Sequence, residues 1–152
     1  MEFEAAGAYF FQKCITLATI ALEGVRFFAR HGYYEEEQVL GNTFVLDVIV
    51  NADTELAAAT DELYEELEEE EIEEDEPAAT TVNYELLYFI CQLEMKTPAK
   101  LLETVVDRIV DRIVAFDNVT GYLVRLRKLN PPLGGRVDGA WVMVNGGDMD
   151  LS

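Results

Sequence analysis

"VRLRKLNPPLGG", Val124 to Gly135, decides how the rest of the chain reads. Alternation puts Tyr122, Val124, Leu126 and Lys128 on one face of a strand, and Leu123, Arg125 and Arg127 on the other. A lysine therefore closes a mostly apolar row, just before two prolines and two glycines stop the strand. The ordinary fate of such a lysine is to snorkel its amine to water. The chain has only four lysines, so one placed here raises the question of a partner.

Working upstream, Thr43 to Val50 has the same grammar. Phe44, Leu46, Val48 and Val50 alternate against Thr43, Val45, Asp47 and Ile49, and Ile15 to Phe28 is likewise rich in β-branched and aromatic residues. Between these two strands "RHGYYEEEQVLGN" reads as a loop punctuated by Gly32 and Gly41. Two helical stretches follow. "NYELLYFICQLEM" has Asn83 as its N-cap, with Tyr84, Leu87, Tyr88 and Cys91 on one face. "TPAKLLETVVDRIVDRIVAF" is expected to start at Thr97 as cap, with Pro98 at the first helical position. Gly121 to Leu129 and Gly139 to Val144 close the chain as strands. The order strand, strand, helix, helix, strand, strand predicts an α+β domain with both helices on one face of an antiparallel sheet.

Half of the 152 residues are hydrophobic, enough for one domain with a sizeable core. The net charge of −19 is unevenly placed: Asp61 to Glu76 holds twelve acidic residues and no basic one. The remainder carries 18 acidic against 11 basic residues, so even the folded part is acidic, which argues against nucleic acid and against an anionic membrane surface. The apolar stretch from Cys14 to Leu22 is too short to span a bilayer and lacks the basic flank of a secretory signal. Cys14 and Cys91 have no close spacing and read as reduced thiols, which with the missing signal suggests a cytoplasmic protein. The acidic run sets glutamates at i and i+4 repeatedly, so a flexible, solvated insertion over 61–77 is expected rather than a helix. A tether for a basic partner has nothing but charge behind it.

Two further polar residues sit where apolar ones are expected. On a helix, Glu103 falls about 20° from Val110 and from Val114, and a carboxylate inside the apolar arc needs a donor. The solvent-facing set of that helix reads as Lys100, Thr104, Arg108, Asp111 and Arg112. Tyr84 opens its helix directly after the acidic run. Core aromatic and proton-transferring phenol are equally open readings of it. A cation, a carboxylate and a phenol thus lie at the ends of three elements.

From Ile20 to Val144 the chain resembles the dihydroneopterin aldolase family. "LEGVRFFARHGYYEEEQVLGNTFVLDV" is similar to the family's opening strand, loop and second strand. "TVNYELLY" and "PAKLLETVVDRI" resemble the starts of its two helices, and "VRLRKLNPPLGGRVDGAWV" its closing hairpin. The resemblance implies the tunnelling fold (T-fold), a homo-oligomer in which four subunits join their sheets into a ring and two rings commonly stack into an octamer. It implies cleavage of a pterin, 7,8-dihydroneopterin, to 6-hydroxymethyl-7,8-dihydropterin and glycolaldehyde, with no cofactor, no metal and no Schiff base. By motif position, Glu103 in "KLLET" is expected to anchor the pterin ring, aided by the backbone of Leu102 and by that of Val82 from a neighbouring subunit. Lys128 in "RKLNPP" is expected to be the catalytic acid/base, and Tyr84 in "TVNYE" a proton shuttle contributed across the subunit boundary. Glu37, six residues after His31, matches the glutamate near the substrate's hydroxyl tail, with Glu35 and Glu36 as adjacent alternatives. His31 is expected to be structural in its turn.

The chain departs from that pattern by the acidic run between Asp61 and Thr81, and by an N-terminal extension over 1–13, open to disorder, ahead of the domain at 14–152. The nearest rival activity is epimerisation of dihydroneopterin or its triphosphate on the same scaffold. Zinc-dependent pterin enzymes of the same architecture need several ligands, and one histidine with two distant cysteines supplies too few. A non-catalytic module acting through its acidic loop is the alternative of a different class.

Overall fold

The computed structural model describes residues 17–62 and 81–149. The N-terminal extension, Cys14 and the acidic run beyond Glu62 lie outside the described residues. The elements in chain order are β1 (Leu17–Ala29), α1 (Glu35–Leu40), β2 (Asn42–Asp53), α2 (Glu55–Thr60), α3 (Tyr84–Lys96), α4 (Leu102–Val114), β3 (Val119–Leu129) and β4 (Gly139–Gly147). The four strands form one antiparallel sheet in the order β1-β2-β3-β4. No described helix is long and apolar enough to cross a membrane.

Alternation decides which face of the sheet is covered. Phe44, Leu46, Val48 and Val50 of β2 are fully buried, and they sit in register with Lys128, Leu126, Val124 and Tyr122 of β3. Removing side chains of this size from water stabilises the fold by roughly 1.5–3 kcal/mol each. The helices complete that core with Leu87, Ile90 and Cys91 of α3, and with Val105, Val106, Ile109, Val110 and Ile113 of α4. On the opposite face polar pairs replace apolar contacts, as where Arg125 donates twice to Asp47 Oδ2 at 2.7 and 3.0 Å. The α+β, helices-on-one-face architecture read from the sequence is the one observed.

Several local expectations are corrected. The stretch after His31 is not all loop, because Glu35, Glu36 and Glu37 occupy the first turn of α1, where carboxylates favour the positive end of a helix. Gly41 then ends that helix at φ 71°, a conformation open to glycine. The second long helix does not begin at Thr97 and Pro98. Thr97 is the C-cap of α3, and α4 starts at Leu102, with Leu101 as an N-cap that makes no side-chain cap bond. The reason is a tie to the end of β1, which holds Ala99 outside helical geometry through both its N–H and its carbonyl. Asn83 does cap α3, its Oδ1 accepting Leu86 N–H at 2.9 Å.

The exposed set expected for α4 is also revised at Arg108. That residue is half-buried, pairing with Glu94 at 3.1 Å and donating from Nη2 to the carbonyls of Glu94 (3.2 Å) and Thr97 (2.8 Å). Together with Arg112, which pairs with the same carboxylate at 2.5 Å, it binds α4 to the C-terminal turn of α3.

Candidate active site

Lys128 occupies the last inward position of the apolar row of β3, and it does not snorkel. The residue is only 7% exposed. Its ammonium donates to Glu37 Oε1 and lies 5.9 Å from the centroid of the Phe44 ring, the residue opposite it in register. The strand end that fixes it is itself pinned. Asn42 Nδ2 donates to the Leu129 carbonyl at 2.7 Å, and Asn130 adopts a left-handed turn (φ 47°) before the two prolines. The cation at the end of the apolar row thus has its partner on α1, 91 residues away in sequence.

Glu37 is the carboxylate that α1 turns inward; Glu35 and Glu36 beside it are exposed. Its other oxygen, Oε2, accepts Tyr34 N–H at 3.1 Å. Burial pushes this carboxyl up. The Lys128 hydrogen bond, the Tyr34 and Tyr33 backbone bonds and the ammonium charge together outweigh burial and hold it below its ordinary value. The pair borders a cavity of about 310 Å³, shared with Glu36, Leu40, Gly41, Asn42, Asn130 and Pro132. A buried ammonium bonded to a carboxylate at the edge of a cavity of this size can deliver a proton to a bound ring and recover it.

The other sequence-predicted residues fall in two groups. Glu103 and Leu102 form the first turn of α4, next to the segment that His31 and Gly32 hold at Ala99. Glu103 is exposed in the single chain rather than enclosed in the apolar arc. The buried stripe of α4 centres between Ile109 and Ile113, about 90° around the helix from Glu103. Val110 and Val114, which suggested otherwise, sit toward its edge, and Val114 is 51% exposed. Glu103 needs no internal donor and is open to an external one.

Tyr84 and Val82 lie at the start of α3, and, like Glu103 and Leu102, they do not line the Lys128 cavity. Tyr84 is 68% exposed, whereas Val82 is fully buried, backbone included, and its carbonyl accepts from Thr81 Oγ1 at 3.1 Å.

Reading the chain did not find Phe44 beneath the ammonium, nor the contacts of the His31-Gly32 pair. Phe44 follows from facing Lys128 across the β2–β3 register, a signal available once strand pairing is known. His31, read as structural, is 1% exposed. Its Nδ1 accepts Ala99 N–H at 3.1 Å, while Gly32 N–H donates to the Ala99 carbonyl at 2.9 Å.

The dihydroneopterin aldolase family model matches residues 20–145, nearly the whole described region. The dihydroneopterin aldolase of Bacillus subtilis is 30% identical over 118 residues, covering 76% of this chain and 86% of the relative. That of Streptococcus pyogenes serotype M1 is 29% identical over 118 residues, covering 76% and 87%. Among solved structures, E. coli dihydroneopterin aldolase in complex with neopterin superposes with a TM-score of 0.65 at 17% identity, covering 86% of this chain and 99% of that one. A Burkholderia dihydroneopterin aldolase bound to guanine gives 0.58 at 18% identity, covering 88% and 93%. The structural likenesses establish the fold, that of the family's T-fold aldolases, and the sequence matches establish the relationship. The chain belongs to the dihydroneopterin aldolase family.

Proposed function

We propose that this chain carries out its family's aldolase reaction in folate biosynthesis on 7,8-dihydroneopterin, with Lys128 as acid/base, Glu37 at the substrate's hydroxyl tail and Glu103 as the pterin anchor. The observation that carries this reading is the buried Lys128–Glu37 pair facing a cavity of about 310 Å³. Glu103 is exposed, and its two carboxylate oxygens match the amino group and N3–H of a pterin ring. Hydrogen bonds of this charged kind contribute roughly 1.5–3 kcal/mol each. The neopterin and guanine named with the two structural relatives share that donor pair on a flat ring.

Cleavage then proceeds as a retro-aldol step. The hydroxyl proton on the second side-chain carbon leaves along the path that Tyr84 completes, the bond from that carbon to the ring-attached carbon breaks, and the electron pair flows into the ring imine. The imine nitrogen takes a proton from Lys128, and glycolaldehyde departs. A proton returned along the Tyr84 path to the remaining carbon gives the hydroxymethyl product, and the ring nitrogen returns its proton to Lys128. Positioned proton transfer of this kind is worth about 10²–10⁴-fold in rate. Glu37 holds the ammonium at the ring and accepts a hydrogen bond from the substrate's hydroxyl tail.

Tyr84 completes the proton path from a neighbouring subunit, with the Val82 backbone beside the ring, in a ring of four that stacks into an octamer. Tyr84's exposure in the single chain and its absence from the cavity lining favour this. So do the two sheet edges that no described strand pairs, β1 and β4, the latter carrying Trp141 at 55% exposure. Incubating the pure protein with 7,8-dihydroneopterin tests the reading. Stoichiometric glycolaldehyde supports it, whereas an altered diastereomer without glycolaldehyde assigns the chain to epimerisation instead.

A further inference from the structure

We infer that His31 is a positioning residue for the reaction: by holding the chain at Ala99 it sets Glu103 against the Lys128–Glu37 pair, an inference that rests on the pterin-anchor role proposed above for Glu103. The imidazole contacts both the ring beneath Lys128 and the segment that leads to Glu103. On one side its ring meets Phe44 edge-on, with centroids 5.3 Å apart, and Phe44 lies directly beneath the Lys128 ammonium. On the other, Nδ1 accepts the Ala99 N–H at 3.1 Å. Gly32 N–H takes the Ala99 carbonyl at 2.9 Å, so both polar groups of Ala99 are held by two consecutive residues.

From Ala99 the chain reaches the N-cap of α4 in two residues and Glu103 in four. Leu101 offers no side-chain cap, so the start of α4 is located by this tie and not by a capping bond of its own. The residues before Ala99 are fixed as well, through Arg108 Nη2 on the carbonyls of Thr97 and Glu94. The same dipeptide steadies the opposite carboxylate. The Gly32 carbonyl accepts Gln38 Nε2 at 3.0 Å, and a Cβ on Gly32 would come within 2.5 Å of Glu37 Cβ, so α1 rests directly on the Gly32 backbone.

For Nδ1 to accept, the ring must be neutral with its proton on Nε2. Burial, then the charges of Arg108 and Lys128, push the imidazole down to about 4 against an opposing contribution from the Met95 backbone, so the acceptor form holds at neutral pH. A histidine serving only as core filling needs none of this geometry. One that positions Glu103 needs the acceptor at Nδ1 and nothing else of the ring's chemistry.

The test compares His31→Asn, whose Oδ1 stands near the Nδ1 position, with His31→Leu, which removes the acceptor. His31→Gln places its amide further out and replaces the leucine variant should that one not fold. Affinity for neopterin, kcat and KM for 7,8-dihydroneopterin, and Tm are measured for each, with Glu103→Gln alongside. A misplacement of roughly 1 Å in a site can cost about a hundredfold. His31→Leu or His31→Gln should therefore weaken neopterin binding by about ten- to a hundredfold and raise KM more than it lowers kcat. His31→Asn should restore both. Wild-type affinity in the leucine or glutamine variant, with Glu103→Gln weakened, overturns the inference, as does an asparagine variant no better than leucine. Unchanged affinity in Glu103→Gln as well overturns the anchor reading itself, and this inference with it.

Discussion

Separating the Lys128–Glu37 pair should cost far more than a surface ion pair would. The side chains are 8% and 14% exposed, and no other charged partner stands within salt-bridge distance of either among the described residues. Lys128→Met leaves a largely buried carboxylate with only the Tyr33 and Tyr34 backbone donors, and Glu37→Leu leaves a largely buried ammonium with only the Phe44 ring. Losing one member of such a pair costs about 3–5 kcal/mol, and the adjoining cavity, which admits solvent, argues for the low end, about 3 kcal/mol. The double variant leaves no uncompensated charge and should cost less than either single. The coupling is then more than about 3 kcal/mol. Urea unfolding followed by the fluorescence of Trp141, the chain's one tryptophan, reads this with protein concentration held equal across the variants. Shifts should appear in the midpoint with the slope unchanged. Single variants within about 1 kcal/mol of wild type, the range of exposed pairs, would refute the burial argument. Strict additivity would refute the pairing.

Three other outcomes follow from single residues. His31 gives up its proton far more readily folded, at about 4, than unfolded, at 6.5, so the unfolded chain is the better proton acceptor between those values. Stability should fall by roughly 3 kcal/mol as pH drops from about 6.5 to 4, with the slope reduced in His31→Asn; a flat profile in the wild type contradicts the assignment. Gly32→Ala sets a methyl against Glu37 Cβ and should reduce kcat severely while the far-UV spectrum is kept, an effect that unchanged turnover would exclude. Asn83→Ala removes the cap on Leu86 N–H and should lower stability by about 1 kcal/mol in the same urea titration.

What the sequence disclosed depended on the range over which its physics acts. The alternation around Phe44 and around Val124 fixed which face of each strand is buried, because that pattern is local and has a period of two. Asn83 was legible for the same reason. The start of α4 was not, since Thr97 and Pro98 carry ordinary helix-start chemistry and are overruled by a tie from His31 and Gly32, some 68 residues earlier. Glu103 was placed in the apolar arc by two valines at the stripe's edge, and only the packing of α4 on the sheet shows where that stripe's centre lies. Lys128 raised the right question from its row alone. Its answer on α1 required the fold, because three adjacent glutamates are locally equivalent until the helix turns Glu37 inward.

On the function proposed above Lys128 moves the proton while other residues hold the ring, and one side-by-side measurement separates the two roles. Lys128→Met and wild type are given 7,8-dihydroneopterin, and bound pterin and released glycolaldehyde are quantified in the same samples. The account predicts pterin affinity of the same order in both proteins, with glycolaldehyde release in the variant reduced at least a hundredfold. Release at a rate near wild type, or loss of pterin binding with the rate per bound pterin unchanged, would contradict it.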